Sequence, residues 1–438
     1  MELTIEVKKT TMVKPAAATP RHVLWNSNVD QLVPRFLHVS TVYFYKPKQT
    51  HHHNFFDSNI LKEALSKVLV PFYPVAGRLV ASSTESGRVD IDCNGEGVLF
   101  VEAETNSLVD DFGDFKPSPK LKSLVPSVEY SKGISSYPLL LVQITYFKCG
   151  GVSIGVAIEH HVIDGVSAIH FLNSWSDIAS GIEQLKTPPF LDRTILCAHN
   201  PPTPIFDHVE YESPLTKKTT TNDNIDIAIY KLSNEQLKTL KANCVNNEEE
   251  DNKIKYSSYE ILAGHIWRCA CKARKLSHDQ ETKLYVVVDG RSRLQPPLPP
   301  GYFGNAIFTT TTKVKAGDLV QSKSWYAAKQ IRSTLKRIDD SYLRSALDYL
   351  ELQPDLSALS RGSHTFRSPN LGINSWIRLP FYEADFGWGR PIYVRPATIL
   401  YDGITYLLSS PDDDGSVFVA IGLQHDHMKD FVKFLYDI

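Results

Sequence analysis

Cysteine is scarce in this chain, with six residues among 438. Cys93, Cys149, Cys197 and Cys244 are isolated, and Cys269 and Cys271 stand two apart in a helical pattern, on different faces. That excludes a disulfide scaffold and gives no zinc-ligand spacing, so no metal is expected and reduced thiols in a cytoplasmic protein are. An excess of either charge is also missing: 47 Lys and Arg face 49 Asp and Glu, a formal net charge of −2. A nucleic-acid partner is therefore not expected, because its phosphates call for a basic field. Long apolar runs are absent too. The best, "YPLLLVQITYF", is interrupted by Gln and Thr and falls short of the ~20 residues of a membrane span. The first twenty residues carry charges where a secretion signal needs an apolar stretch. No internal repeat stands out.

What is present is ordinary globular composition, 42% hydrophobic and 22% charged. The length exceeds the ~250–300 residues of a single core, so two domains are expected. A proline-rich and then polar stretch at 187–225 is the natural linker, giving an N-terminal domain at 1–190, a crossover at 191–225 and a C-terminal domain at 226–438. The acidic run at 246–253 reads as a solvated loop. Apolar spacing predicts helices over 58–72 and 166–180, and "PLLLVQITYF" and "VSIGVAIEH" flank a "KCGG" turn as an antiparallel hairpin. Ser257 followed by Glu260 is a capping box ahead of a buried helix. "TKLYVVVDG" and "GSVFVAIGLQ" read as interior strands, so the class is mixed α/β.

Chemistry concentrates in "AIEHHVIDG", 157–165, where an apolar strand ends at His160 and a turn leads into a helix. Imidazole is the side chain best suited to take a proton near neutral pH, which makes His160 a candidate general base that Asp164 could orient. Two other readings stand beside it. His160, His161 and Asp164 could ligate a metal, although no third-ligand spacing of a zincin is present, or the two histidines could be structural. "DFGWG", 385–389, matches a kinase motif for three residues, but its glycine-rich, lysine and catalytic-loop partners are missing, so the glycines read as a tight turn. The triple histidine at 51–53 reads as an exposed loop and His265 as a core histidine.

Together, several runs decide more than any one does. "LWNSNVD", "VYFYKP", "FYPVAGRL", "HHVIDG", "PPFLDRT", "YSSYEILAGHIWRCACKAR", "DGRSRLQPPLPPGYFGNAIFTTT" and "LPFYEADFGWGRPI" occur in order and cover the chain nearly end to end. In them the chain resembles the plant BAHD acyltransferases, and within these the hydroxycinnamoyl-CoA transferases acting on shikimate or quinate. The resemblance implies two sandwich-like α/β domains similar to chloramphenicol acetyltransferase, with mixed sheets, flanking helices and an active-site channel between them. It implies acyl-CoA as co-substrate, no permanently bound cofactor, and a monomer. His160 would deprotonate the acceptor hydroxyl as it attacks the thioester, with no acyl-enzyme. Asp164 would turn away and pair with Arg291 or Arg293, while Asp385, Gly387 and Trp388 would support the site from their turn. CoA would lie against Ser257, Ser258, Lys253 and Lys255.

The acceptor side is implied at His38, Thr41, Tyr43, Arg361, Asn374 and Arg395, and here the sequence departs from the pattern. Thr41 stands where a serine is usual, Asn374 where a threonine follows Arg361 by thirteen positions, and Arg395 where the family has glycine. Val162 and Ile163 replace two alanines. These changes leave open another carboxylate-bearing alcohol or an amine as acceptor. A catalytically silent CoA-binding protein on the same fold is the remaining alternative.

Overall fold

The computed structural model describes residues 3–47, 54–83, 87–212, 225–244 and 255–438. The triple histidine, the 246–253 run, Lys253 and the polar end of the crossover lie outside them.

Two six-stranded mixed sheets organise the chain. The first runs Glu6–Val13, Val98–Thr105, Leu140–Phe147, Val152–Glu159, His38–Tyr45 and Tyr393–Pro396. The second runs Ile307–Lys315, Glu281–Asp289, Leu371–Ser375, Ile404–Ser409, Val417–Gln424 and Ile225–Leu232. The expected hairpin forms its antiparallel pair, Leu140–Phe147 with Val152–Glu159. All eight residues of the latter strand are buried, as a strand with both faces covered requires. Gly155 lies in that strand because a Cβ there would come 1.9 Å from the Leu124 carbonyl oxygen.

Helices cover each sheet. Asp57 caps the helix Ser58–Val68, which packs with Gly165–Ala179 on the first core, where the Trp175 indole donates to the Leu61 carbonyl at 2.9 Å. The second core is built around Ser258–Ala273, held between Ser324–Lys336 and His425–Tyr436. The capping box at its start is formed, with Glu260 N donating to Ser257 Oγ at 3.2 Å and Ser257 N to Glu260 Oε2 at 2.6 Å. His265 is a core histidine, its Nε2 2.9 Å from the Leu435 carbonyl.

The chain returns to the first sheet late. Tyr393–Pro396 pairs antiparallel with His38–Tyr45, and Phe381, Phe386 and Val394 belong to the first core. The 385–389 turn lies against it. Phe386, Gly387 and Gly389 have φ of 56°, 88° and 114°, and Asp385 Oδ1 accepts from the Gly387 and Gly389 amides at 2.9 and 3.3 Å. Those backbone signs explain the two glycines. Trp388 packs against Phe56 in a tilted pair, ring centroids 4.8 Å apart.

Candidate active site

A cavity of about 1670 Å³ is lined by residues of both sheets, His160 among them. The strand Val152–Glu159 delivers His160 to it: the His160 amide makes the last cross-strand bond, to the Leu37 carbonyl at 3.1 Å, and its carbonyl accepts from Asn305 Nδ2 at 2.9 Å. His160 is half-buried and its Nδ1 is sealed with no hydrogen-bond partner among the described residues, so the ring meets the cavity by its Nε2 edge. His161 turns the other way. It is 2% exposed, with Nδ1 2.8 Å from Glu159 Oε1. Two adjacent histidines therefore serve different ends, and among the described residues no group of His, Cys, Asp and Glu is arranged to hold a metal.

Asp164 does not approach His160. Its carboxylate is 1% exposed, caps the helix Gly165–Ala179 through Ser167 N at 3.0 Å, and accepts from Ala306 N at 3.0 Å. Arg291 completes it with a bidentate pair at 2.8 and 3.0 Å. Burial alone would raise the Asp164 pKa, but the Arg291 charge and these four donors outweigh it and hold the carboxyl below its usual value. Arg293 faces elsewhere, donating to the Leu335 and Ile338 carbonyls.

At one part of the wall lie Lys255, Ser257 and Ser258, at the N-terminus of the helix Ser258–Ala273. Ser257 Oγ is committed to the cap. What remains for an anion is the free backbone N–H groups and the positive end of the helix dipole. Lys241, Arg332 and Lys336 line the same cavity, with Arg332 donating to the Lys255 carbonyl at 2.6 Å. Sequence reasoning missed these three. The only signal was the i, i+4 spacing of Arg332 and Lys336.

His38, Thr41, Tyr43, Arg361 and Asn374 also line the cavity. The imidazole of His38 is fixed between Tyr130 Oη at 2.8 Å and the Pro138 carbonyl at 2.9 Å, and burial lowers its pKa, favouring the neutral ring. Arg361 donates through Nη1 to Thr309 Oγ1, lies 5.6 Å over the Tyr211 ring, and has no partner for Nε among the described residues. A guanidinium with a spare buried N–H suits a carboxylate.

Arg395 is the correction. Its register partner is Val42, not Thr41 or Tyr43, so its side chain leaves the sheet on the face away from the cavity. There it is fully buried, 5.0 Å from the Tyr393 ring and 4.7 Å from that of Phe418. Val162 is likewise buried away from the cavity, whereas Ile163 lines it. The turn bearing Asp385, Gly387 and Trp388 stays on the first core, outside the cavity wall.

Similarity to known proteins agrees with this architecture. The profile of the Transferase family matches residues 3–438. The chain is 59% identical to shikimate O-hydroxycinnamoyltransferase of Nicotiana tabacum over 99% of both chains. It is 50% identical to a hydroxycinnamoyl-CoA:5-hydroxyanthranilate N-hydroxycinnamoyltransferase of Avena sativa over 100% of both. The crystal structure of vinorine synthase superposes with a TM-score of 0.76 at 24% identity, covering 98% of this chain and 96% of that one, which establishes the two-domain α/β fold. The chain belongs to the BAHD transferase family.

Proposed function

We propose that this enzyme transfers a hydroxycinnamoyl group, p-coumaroyl or caffeoyl, from CoA to a hydroxyl of a carboxylate-bearing acceptor of the shikimate or quinate type. The observation that carries the reading is one cavity holding three things: a histidine with no acidic partner among the described residues, a cationic helix N-terminus, and a guanidinium whose Nε has no hydrogen-bond partner there either. The two relatives at 59% and 50% identity are named for shikimate and 5-hydroxyanthranilate, both carboxylates, which supports Arg361 as the contact for that group.

CoA phosphates lie against Lys255 and the helix N-terminus at Ser257 and Ser258, reinforced by Arg332 and Lys336. The acceptor hydroxyl gives its proton to His160 while its oxygen bonds to the thioester carbonyl carbon. Collapse breaks the C–S bond, and the departing thiolate takes the proton back from the imidazolium. No acyl-enzyme forms, since among the described residues no Ser, Thr or Cys hydrogen-bonds the His160 ring. Alignment of two bound substrates supplies most of the acceleration, and base catalysis adds about 10²–10⁴-fold. Asn374, beside the acceptor contacts, offers an amide donor and acceptor and favours a second reading in which another hydroxy acid or an amine is used.

His160→Ala tests the base: turnover with p-coumaroyl-CoA falls by at least about 10²-fold while CoA still raises the thermal midpoint. Retention of most activity would remove His160 from this role. Shikimate and quinate compared with malate, hydroxyphenyllactate and amines on kcat/KM then decide the acceptor. A clear preference for an amine or another hydroxy acid rejects the shikimate type.

A further inference from the structure

The catalytic loop is braced at its far end by Asp164 and Arg291, yet His160 itself has no side-chain hydrogen-bond partner among the described residues to orient it. Its direction must come from the backbone. Behind that backbone lies a second buried polar cluster, drawn from segments far apart in sequence: Asp30, Arg193 and Asn305, exposed by 0%, 1% and 3%.

Asp30 is its hub. Oδ2 accepts from Ser27 N at 2.8 Å and Ser27 Oγ at 2.7 Å, and Oδ1 accepts from Asn305 N at 2.9 Å and Asn305 Nδ2 at 2.8 Å. Arg193 Nη1 lies 3.4 Å from Oδ1, so the buried charges compensate. From this hub three donors reach the loop, one of them Arg193 Nη1, 3.5 Å from the His161 carbonyl. Asn305 Nδ2 donates to the His160 carbonyl at 2.9 Å, and Arg193 Nη2 donates to the Val162 carbonyl. The amide orientation of Asn305 is fixed by chemistry, because both of its partners are acceptors, and its two N–H donors are thereby fully used.

We propose that Asn305, anchored by the Asp30–Arg193 ion pair, is the positioning residue for His160, stapling the peptide that carries the imidazole so that it points at the acceptor oxygen. The proposal rests on His160 being the base. It differs from the Asp164–Arg291 brace in acting on the histidine's own carbonyl, one bond from the Cα that aims the ring. Loss of the staple frees that peptide and takes one donor from Asp30 Oδ1, while both members of each buried ion pair stay in place.

The test is a series at Asn305 in the full-length enzyme, read as kcat per CoA-binding protein with KM for both substrates. Asn305→Ala removes both donors, and kcat falls about 10–100-fold, as expected for a displaced reacting group, with both KM values within about threefold of wild type. Asn305→Ser keeps one hydroxyl donor and falls between. The acid limb of the pH–kcat profile stays where it is in wild type, because geometry is lost and basicity is not. Equal kcat in all three proteins overturns the proposal, whatever happens to the thermal midpoint. If the alanine variant does not fold, the serine comparison alone decides, with kcat equal to wild type counting against the staple. His160→Ala measured alongside separates the two claims: an active His160→Ala enzyme refutes the base, whereas an inactive one beside a fully active Asn305 series refutes only the staple.

Discussion

Replacing Arg291 by Ala would strip a 1%-exposed carboxylate of its counter-charge and leave Asp164 with only the Ser167 and Ala306 amides. Breaking a buried pair from one side costs about 3–5 kcal/mol, because the remaining charge is uncompensated. With an unfolding entropy of about 2.1 cal/mol/K per residue, 438 residues give roughly 0.9 kcal/mol/K, so the midpoint should fall by about 3–5 °C at pH 7 if the chain unfolds as a unit. The pH dependence has a definite sign. In wild type the Asp164 pKa is depressed, so its contribution is full above the unfolded value near ~3.9 and is lost as pH falls through the lower folded value. Without Arg291, burial is opposed only by the Ser167 and Ala306 amides and the carboxyl pKa rises from its wild-type position, so acidification relieves the variant first and the gap between the two proteins narrows. Scanning calorimetry at pH 7 and pH 5 reads both effects. Adding Asp164→Asn to Arg291→Ala should recover part of the loss, since a neutral amide keeps the helix cap without the charge. A double variant no more stable than Arg291→Ala at pH 7 would refute the electrostatic account.

Two further predictions follow from the same geometry. Gly155→Ala places a Cβ 1.9 Å from a backbone oxygen in a strand with no room to shift, so its midpoint in thermal unfolding should drop by several degrees, and an unchanged midpoint would contradict the packing. Arg361→Met should lower kcat/KM for a carboxylate acceptor about 10–100-fold, the worth of a charged hydrogen bond at ~1.5–3 kcal/mol, while KM for the acyl-CoA stays within about twofold. Equal losses for the acceptor and its methyl ester would show that Arg361 does not read the carboxylate.

How far the sequence was legible depended on how local each signal is. The capping box at Ser257 and Glu260 and the hairpin before His160 use partners within a few residues, and both could be read from spacing. The Asp164–Arg291 pair spans 127 residues and came only from resemblance to a family. Asp30, Arg193 and Asn305 lay inside quoted motifs, yet nothing local marks their roles, because their partners lie 275 and 145 positions apart in the two Asn305 contacts. Arg395 failed for a different reason. Its position in the chain is close to cavity-lining segments, but strand register decides which face it takes, and pairing with Val42 sends it away from the cavity. Lys241, Arg332 and Lys336 were missed because an exposed cation on an amphipathic helix ordinarily has no partner but water.

These placements also say why so much buried charge surrounds a single histidine. A thioester is already activated, so the demand on the protein is chiefly geometric. Holding two substrates and the base in register can lower a barrier by about 7–11 kcal/mol, whereas one proton transfer, at 10²–10⁴-fold, is worth about 2.7–5.5 kcal/mol. A carboxylate contacting His160 would serve only the smaller of these effects. The structure instead turns the carboxylates near the loop to other partners: Glu159 to the His161 amide and ring, Asp164 to Arg291 at the helix start, and Asp30 to Arg193 behind the peptide of His160. Each pair is dry enough to be rigid and compensated enough to be tolerated. The motif's aspartate is thus a fixed point of the scaffold, and in the proposed mechanism the imidazole beside it works with no acidic partner among the described residues.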